Sequence, residues 1–301
     1  MTVHLRDKRI AFVGAGAIAE ALIKGMCSTG LADPGQIRVS NRSRGDRLAA
    51  LARAYGVRPC ENAAAAADGA DVVVLCPKPA DMRQALAAIA PAAAPDSLYI
   101  SVAAGCAIDW IADVLASEWR ARENSPGPAG TPAAPPAPRV ARTMPNTSSA
   151  VLESATGYAL GAHCTKEDAD IVHLMFGAVG TAYPLDEEQL DAVTGVSGSG
   201  PAYFYYMVEC LVKAGVDMGL DEPTAAALVR QTLFGAAAML RFSSDSPAAL
   251  RERVTSPNGT TVAGLGVLRE RGFEEAVRAA VRRATARAAE MGAELSRPAA
   301  R

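Results

Sequence analysis

Short apolar runs alternate with amphipathic stretches along the first half of the chain, and helical periodicity alone fills the second half. Runs of β-branched and aromatic residues predict strands, and apolar residues spaced three and four apart predict helices. The predicted strands are 9–13, 37–40, 71–76, 98–102 and 139–143, and the helices between them are 17–28, 44–55, 81–89 and 108–119. Residues 72–76 are apolar throughout, which is typical of a parallel strand covered on both faces. This order predicts a doubly wound, mainly parallel α/β sheet.

From about Asp186 the pattern predicts only helices, at 201–218, 223–242, 247–254, 262–271 and 273–294. Pro201 and Pro223 stand at first-turn positions, where a missing N–H breaks no hydrogen bond. We therefore predict a sheet domain at 1–185 and an all-α domain at 186–301. Residues 125–138 hold six prolines without periodicity. We interpret about 120–138 as an insertion in the first domain that forms a mobile surface loop.

The composition narrows the classes of protein. The chain has 301 residues, 50% of them hydrophobic, which is enough for a large core, and its net charge of −2 gives no general attraction to nucleic acid or membrane. Its six cysteines contain no C-x-x-C pair and its three histidines no ligand spacing, so no disulfide framework and no metal site are predicted. A polar N-terminus and the lack of long apolar runs argue against a signal peptide and a membrane span. We expect a cytoplasmic protein.

The first predicted strand is followed directly by two glycines at the start of a helix. Gly14 permits a tight turn, Gly16 lets a pyrophosphate approach the backbone, and the small Ala19 keeps helix and strand close. In this strand–turn–helix context the pattern predicts a dinucleotide-binding Rossmann domain. A glycine-rich turn that serves packing alone is the alternative.

The end of the second strand indicates which dinucleotide binds. NAD sites usually place Asp or Glu there, toward the ribose 2′-hydroxyl, whereas this chain has Asn41, Arg42 and Ser43. A guanidinium flanked by an amide and a hydroxyl suits a 2′-phosphate. NADPH is therefore favoured, with an ordinary surface arginine as the alternative.

Two more segments are expected near the carboxyl edge of the sheet, and a third joins the two domains. Lys78, between Pro77 and Pro79, follows the third strand and either lies near the nicotinamide or points to solvent. Residues 144–147 follow the fifth strand and should line the same crevice. In residues 194–203, three glycines and two serines precede the helix that starts at Pro201. They allow close backbone approach to a ligand or to a neighbouring helix, and packing is the preferred interpretation.

Residues 254–261 interrupt the helical pattern near the C-terminus. Pro257 fixes one φ angle, and Asn258 and Gly259 tolerate positive φ, so a sharp turn is predicted. Thr260 and Thr261 then open the next helix, where N–H groups are free. Such a bend suits a small carboxylate. The alternative is an ordinary helix–turn–helix with Thr as N-cap.

Taken together, these segments resemble pyrroline-5-carboxylate reductase over residues 9–291. The resemblance rests on residues 14–20, 41–43, 77–79, 144–147, 197–203 and 256–261, of which the last two segments are the most specific. It implies an N-terminal Rossmann domain and an all-α domain that interleaves with its twin in a homodimer; larger rings of dimers are known in the family. It also implies reduction of 1-pyrroline-5-carboxylate to L-proline by NADPH, with NADH as the other candidate donor.

The resemblance also assigns roles to residues. It implies that the cofactor contacts Gly14, Ala15, Gly16, Ala17, Ile18, Ala19, Asn41, Arg42, Ser43, Asn62, Cys76, Pro77, Lys78 and Pro79. It implies that backbone N–H groups of Asn258, Gly259, Thr260 and Thr261 hold the substrate carboxylate, and that Thr261 acts in catalysis by hydrogen bonding the ring nitrogen.

Three positions depart from the family pattern: Ala17 stands where Asn is common, Ser148 where Pro is common, and Asn258 where Gly is common. Asn accepts left-handed φ better than other non-glycine residues, so the turn is expected to survive. Ala17 loses a polar contact in the phosphate loop, and we expect it to weaken cofactor affinity without abolishing it.

Other functions fit parts of the pattern. A 3-hydroxyacid dehydrogenase relative also joins a Rossmann half to a helical half, but it relies on a lysine of the helical domain. Here Lys213 lies inside a predicted helix, away from either glycine-rich turn. A non-catalytic NADP-binding sensor is the third hypothesis, which the residues at 256–261 disfavour. A six-membered cyclic imine stays open as substrate.

Overall fold

The computed structural model describes residues 5–123 and 137–296. The chain divides into two compact units, one of residues 1–198 with 284–301 and the other of Ser199–Arg283. Most of the predicted insertion at 120–138 lies outside the described residues. Within the described ranges, no helix combines the length and the apolar character needed to cross a bilayer.

The first unit contains an eight-stranded sheet in the order β3-β2-β1-β4-β5-β6-β7-β8. All neighbouring strands run parallel except β6 and β7, so the predicted mainly parallel sheet is confirmed. The strands are β1 (Ile10–Val13), β2 (Ile37–Ser40), β3 (Arg58–Cys60), β4 (Val72–Leu75), β5 (Leu98–Ser101), β6 (Arg139–Met144), β7 (Ser154–Leu160) and β8 (Gly180–Pro184). The helices are α1 (Ala17–Ser28), α2 (Gly45–Tyr55), α3 (Ala63–Ala67), α4 (Met82–Ile89), α5 (Ile108–Glu123), α6 (Lys166–Gly177) and α7 (Leu190–Val193).

Helices cover both faces of this sheet, because successive side chains of each strand point to opposite sides. Phe12 and Val74 belong to a core with α1 and α6, where Met26 and Phe176 are fully buried. Their neighbours along the strands instead join a second core, with α4 and α5, around Tyr99. The predicted double winding is therefore confirmed.

Three strands are not predicted from the sequence, namely β3, β7 and β8. Strand β7 runs antiparallel to β6 because the connection is short, a 3-10 turn at Thr147–Val151, and a parallel pair needs a longer crossover. Strand β8 then pairs parallel with β7 after α6. It begins at Gly180, with φ of 148°, where any side chain would clash with the backbone of Ser154.

The second unit is all-helical, as predicted. It contains α8 (Gly200–Asp217), α9 (Glu222–Phe242), α10 (Pro247–Arg253), α11 (Thr260–Glu270) and the start of α12 (Phe273–Ser296). Among the described residues of this unit, Ala225 is the only buried apolar side chain, and large apolar side chains are exposed on its helices.

The compact units differ from the predicted division at residue 185. Helix α7 and a π-helical turn, Thr194–Gly198, stay with the first unit and lie against β7. The end of α12 also belongs to the first unit, where the backbones of Gly105 and Gly292 approach so closely that a Cβ on Gly105 would lie 3.0 Å from the Gly292 nitrogen.

Candidate active site

The segments predicted to bind a nucleotide follow adjacent strands of the sheet. Val13, the last residue of β1, pairs with Ser40 at the end of β2 and with Leu75 at the end of β4. Ser40 in turn pairs with Cys60, the last residue of β3. These strands are parallel and their last residues are paired, so they end at the same edge of the sheet. The glycine turn after β1 therefore lies between the loops after β2 and β4. This is the edge of a doubly wound sheet where ligands bind.

The two glycines of that turn have different structural environments. Gly14 has φ of 105°, donates its N–H to the Ser40 carbonyl at 3.0 Å, and would place a Cβ 3.0 Å from the Cys76 carbonyl oxygen. Gly16 is exposed with φ of −76°, caps the N-terminus of α1, and would place a Cβ with nothing within 4 Å. The fold therefore requires a glycine at 14, whereas Gly16 leaves room at a helix N-terminus, which suits a pyrophosphate.

An arginine from α2 supports this turn. Arg47 donates from Nε to the Ala15 carbonyl at 3.0 Å, and its guanidinium pairs with Glu20 of α1. Tyr55 donates to the same carboxylate at 3.3 Å. This role of Arg47 is not predicted from the sequence. The only local signal for it is Glu20, an acidic residue in the first turn of α1 that can pair with a basic side chain. Of the other predicted contacts here, Ala15 and Ala19 are buried, Ile18 is half-buried and Ala17 is exposed.

The loop after β2 carries Arg42, whose side chain is exposed. Its Nη1 donates to Asp81 Oδ1 at 3.0 Å and to Gln84 Oε1 at 2.7 Å. On either side of Arg42, Ser43 is exposed and Asn41 donates from Nδ2 to the Arg44 carbonyl at 3.5 Å. The arginine predicted to bind a 2′-phosphate thus bridges to the start of α4. Asp81 and Gln84 are not predicted from the sequence, because nothing local to either residue indicates that contact.

The loop after β4 is hydrogen bonded to β1 at its first residue, and its Lys78 side chain is exposed to solvent. The Cys76 N–H donates to the Val13 carbonyl at 2.9 Å, and burial raises the pKa of the Cys76 thiol to about 12. Pro77 and Pro79 flank the exposed Lys78, and a 3-10 turn, Pro79–Asp81, follows. The loop after β3 carries Asn62, whose Oδ1 accepts the Ala65 N–H at 2.8 Å as the N-cap of α3.

Two further predicted segments meet next to β6. Asn146 donates from Nδ2 to the Ser197 carbonyl at 3.1 Å, and its Oδ1 accepts the Ser148 N–H at 2.9 Å. A Cβ on Gly198 would lie 2.6 Å from the terminal methyl of Met144. Gly198 thus packs closely against the flexible end of Met144, which is compatible with the packing interpretation.

The turn predicted at 254–261 is present in the second unit. The Gly259 N–H donates to the Ser256 carbonyl at 3.0 Å, and Asn258 has φ of 59°. A proline at the second position and a positive φ at the third define a type II turn. Gly259 is closely packed, since a Cβ would lie 2.5 Å from the Ser256 hydroxyl oxygen and 3.1 Å from its carbonyl oxygen, so a larger residue would require Ser256 to shift.

Helix α11 begins directly after this turn, with Gly259 as N-cap and without a capping side chain among the described residues. Its first intrahelical bond runs from the Ala263 N–H to the Gly259 carbonyl at 3.3 Å. The N–H groups of Thr260, Thr261 and Val262 precede that bond and are donors for an anion. Thr260 is exposed and Thr261 is half-buried.

Two protein-family models match this chain, one in the sheet region and one in the helical region. Residues 9–105 match the family model for NADP oxidoreductase, coenzyme F420-dependent. Residues 187–291 match the model for pyrroline-5-carboxylate reductase dimerisation. The fold and the nucleotide edge thus define a nicotinamide-dependent oxidoreductase of the Rossmann class.

Related proteins identify the family within this class of oxidoreductases. The chain is 39% identical over 270 residues to pyrroline-5-carboxylate reductase 2 of Bacillus subtilis (strain 168), covering 90% of each chain. It is 39% identical over 273 residues to the pyrroline-5-carboxylate reductase of Pseudomonas aeruginosa, covering 90% of this chain and 92% of the other. The solved structure of a pyrroline-5-carboxylate reductase from Coxiella burnetii superposes with a TM-score of 0.81 at 32% identity, covering 97% and 99%. This chain belongs to the pyrroline-5-carboxylate reductase family.

Proposed function

We propose that this protein reduces 1-pyrroline-5-carboxylate to L-proline, the last step of proline biosynthesis, with NADPH as the hydride donor. The observation that carries the proposal is the Ser256–Gly259 turn: its left-handed Asn258 leads into an uncapped helix N-terminus, in a chain of the pyrroline-5-carboxylate reductase family. A related solved structure, from Plasmodium falciparum with NADP bound, superposes with a TM-score of 0.79 at 25% identity.

The residues at the sheet edge fit a dinucleotide. Open space beside Gly16 leaves the N-terminus of α1 accessible to a pyrophosphate, and Arg42 supplies a guanidinium for a 2′-phosphate. Asn41, Ser43, Asn62 and Lys78 are polar residues of the neighbouring loops that a nucleotide would contact. When bound, the reduced nicotinamide would supply a hydride to the carbon of the C=N bond. The arginine favours NADPH, and NADH is the second donor to test.

The turn and the start of α11 would hold the substrate. The free N–H groups of the first helical turn suit the carboxylate, and the Thr261 hydroxyl would hydrogen bond the ring nitrogen. When that nitrogen is protonated, hydride addition to the adjacent carbon gives a neutral amine without separating charge. The task of Thr261 is therefore to orient the imine, and no strong acid or base is required of it.

We also propose a homodimer formed through the helical unit. Its helices expose apolar side chains that a folded protein normally covers, including Phe204, Tyr205, Leu211, Phe234 and Leu240. The family model that covers residues 187–291 is a dimerisation model. A larger ring of dimers and a place in the cytoplasm remain predictions from the sequence.

Steady-state assays with both nucleotides test the proposed reaction. We expect 1-pyrroline-5-carboxylate to be reduced with NADPH at a higher kcat/KM than with NADH. The six-membered homologue, assayed with the reduced nucleotides, and a 3-hydroxy acid, assayed with the oxidised nucleotides because its turnover is an oxidation, test the alternative substrates. NADPH binding without turnover of any of them would identify a sensor. Turnover of the hydroxy acid, or of no imine, contradicts the proposal.

Replacement of Thr261 tests its assigned role. Thr261→Ala is expected to raise KM for the imine and to lower kcat, because the hydrogen bond that orients the ring nitrogen is lost, while NADPH binding changes little. Thr261→Ser keeps the hydroxyl and serves as the matched control, which should recover most of the activity. A wild-type kinetic profile in the alanine variant contradicts the role.

A further inference from the structure

We propose that Asp81 sets the discrimination between NADPH and NADH by competing with the 2′-phosphate for Arg42. The inference rests on the proposed nucleotide-dependent function and assigns a role to a residue outside the segments so far considered for cofactor binding. It follows from the side-chain contacts at the end of β2.

The Asp81 carboxylate contacts the guanidinium of Arg42, in the loop that follows β2. Arg42 Nη1 lies 3.0 Å from Asp81 Oδ1 and 2.7 Å from Gln84 Oε1. The Arg42 side chain is 64% exposed and that of Asp81 is 40% exposed, so an incoming ligand can reach both. Arg42 Nε and Nη2 make no hydrogen bond within the described residues. The guanidinium is thus held through Nη1 alone, and its Nε–Nη2 edge is available to a ligand.

The charges make the two nucleotides unequal at this position. A 2′-phosphate brings strong negative charge to the free edge of Arg42, where it gains two charge-assisted hydrogen bonds but is repelled by the Asp81 carboxylate. A 2′-hydroxyl brings no charge, and carboxylates are the groups that NAD sites direct toward it. Asp81 therefore weakens NADPH binding selectively and leaves NADH binding unaffected or improved.

Gln84 keeps the arrangement intact when the charge of Asp81 is removed. Its Oε1 accepts from the same nitrogen and carries no charge, so Arg42 stays tethered to α4. Asp81→Asn also keeps an oxygen acceptor at the same place. This substitution therefore removes the negative charge beside Arg42 without moving the guanidinium.

Asp46 provides a matched control. It lies in α2, pairs with Arg44 at 3.2 Å, and has a side chain that is 72% exposed. Asp46→Asn removes the same charge, four residues along the chain from Arg42, without touching the Arg42 guanidinium. Any effect of net charge alone should appear equally in both variants.

The experiment measures kcat/KM with NADPH and with NADH for the wild type and the two variants. For Asp81→Asn we expect the NADPH-to-NADH ratio to rise roughly threefold to tenfold, mainly through a lower KM for NADPH, because exposed charge pairs are modest in strength. Asp46→Asn should leave the ratio at the wild-type value. Titration calorimetry with adenosine 2′,5′-bisphosphate should show the same tightening in Asp81→Asn without turnover, and melting temperatures verify folding.

Two outcomes overturn the inference. Equal shifts in both variants would mean that net charge acts at long range, and an unchanged or lower ratio in Asp81→Asn would mean that Asp81 does not compete with the phosphate. Failure of the wild type to reduce the imine with either nucleotide overturns the proposed function instead, so the two failures are distinguishable.

Discussion

At the scale of single residues, the glycine turn after β1 separates what folding requires from what binding requires. Gly14 is needed because of its positive φ and the nearby Cys76 carbonyl, whereas Gly16 has an ordinary backbone conformation and open space around it. Replacement by alanine therefore tests folding at position 14 and nucleotide binding at position 16.

We predict that Gly14→Ala lowers the free energy of unfolding by roughly 1–3 kcal/mol, because a Cβ is strained at this φ and crowds Cys76. Gly16→Ala should cost no more than about 1 kcal/mol, the scale of an N-cap effect, yet raise KM for the nucleotide several-fold by occupying the space beside the helix N-terminus. Urea denaturation and nucleotide kinetics of both variants check this. A Gly16→Ala protein with unchanged nucleotide KM would show that the phosphate does not bind there.

Cys76 gives a prediction about pH. Burial raises the pKa of its thiol to about 12, from an ordinary value near 9. Above pH 9 the unfolded chain loses this proton while the folded chain keeps it, so stability is full below pH 9 and falls as the pH rises toward 12. Between pH 8 and pH 10, the wild type should lose roughly 1 kcal/mol more stability than Cys76→Ala. Urea denaturation at the two pH values measures this, and equal losses would contradict it.

At the scale of elements, the Ser256–Gly259 turn and the first turn of α11 work as one unit. The type II turn needs a positive φ at its third position, and Asn258 supplies it at 59°. The same geometry fixes where the free N–H groups of the helix point. Changes at Asn258 should therefore affect substrate affinity through the backbone.

We predict that Asn258→Ala raises KM for the imino acid several-fold and destabilises the protein by about 1 kcal/mol, because alanine resists the left-handed region. Asn258→Gly is the control: it adopts that region freely and should keep wild-type KM. Steady-state kinetics and thermal melts of the two variants supply the comparison. Similar KM values for the alanine and glycine variants would show that the turn geometry does not govern binding.

The elements also show what local pattern can predict. Helix α1 and strand β2 begin and end at the predicted residues, because a continuous periodic run and clear turn residues bound each of them. Strand β7 has no comparable signal: its residues Ser154–Leu160 are small and mixed, and its burial depends on neighbours distant in sequence. The Arg42–Asp81 pair is likewise invisible to local pattern, since the two residues follow different strands.

At the scale of the whole molecule, the helical unit has too little buried apolar surface of its own to be stable alone. Ala225 is its one buried apolar side chain among the described residues, while Phe234 is 70% exposed. In the proposed homodimer, a second copy of the chain would bury these side chains and supply the hydrophobic stabilisation that the unit lacks, so association and folding of this unit should be linked.

We predict that Phe234→Glu, which places a charge on the exposed apolar surface of α9, converts the dimer to a monomer and lowers the melting temperature. Val151→Glu is the matched control, because Val151 is 69% exposed but belongs to the sheet unit, and it should leave the assembly intact. Sedimentation velocity over a range of concentrations distinguishes dimer from monomer.

The wild-type melting temperature should also rise with protein concentration, since a partner that binds only the folded state stabilises it by mass action. A Phe234→Glu protein that remains dimeric would place the interface elsewhere.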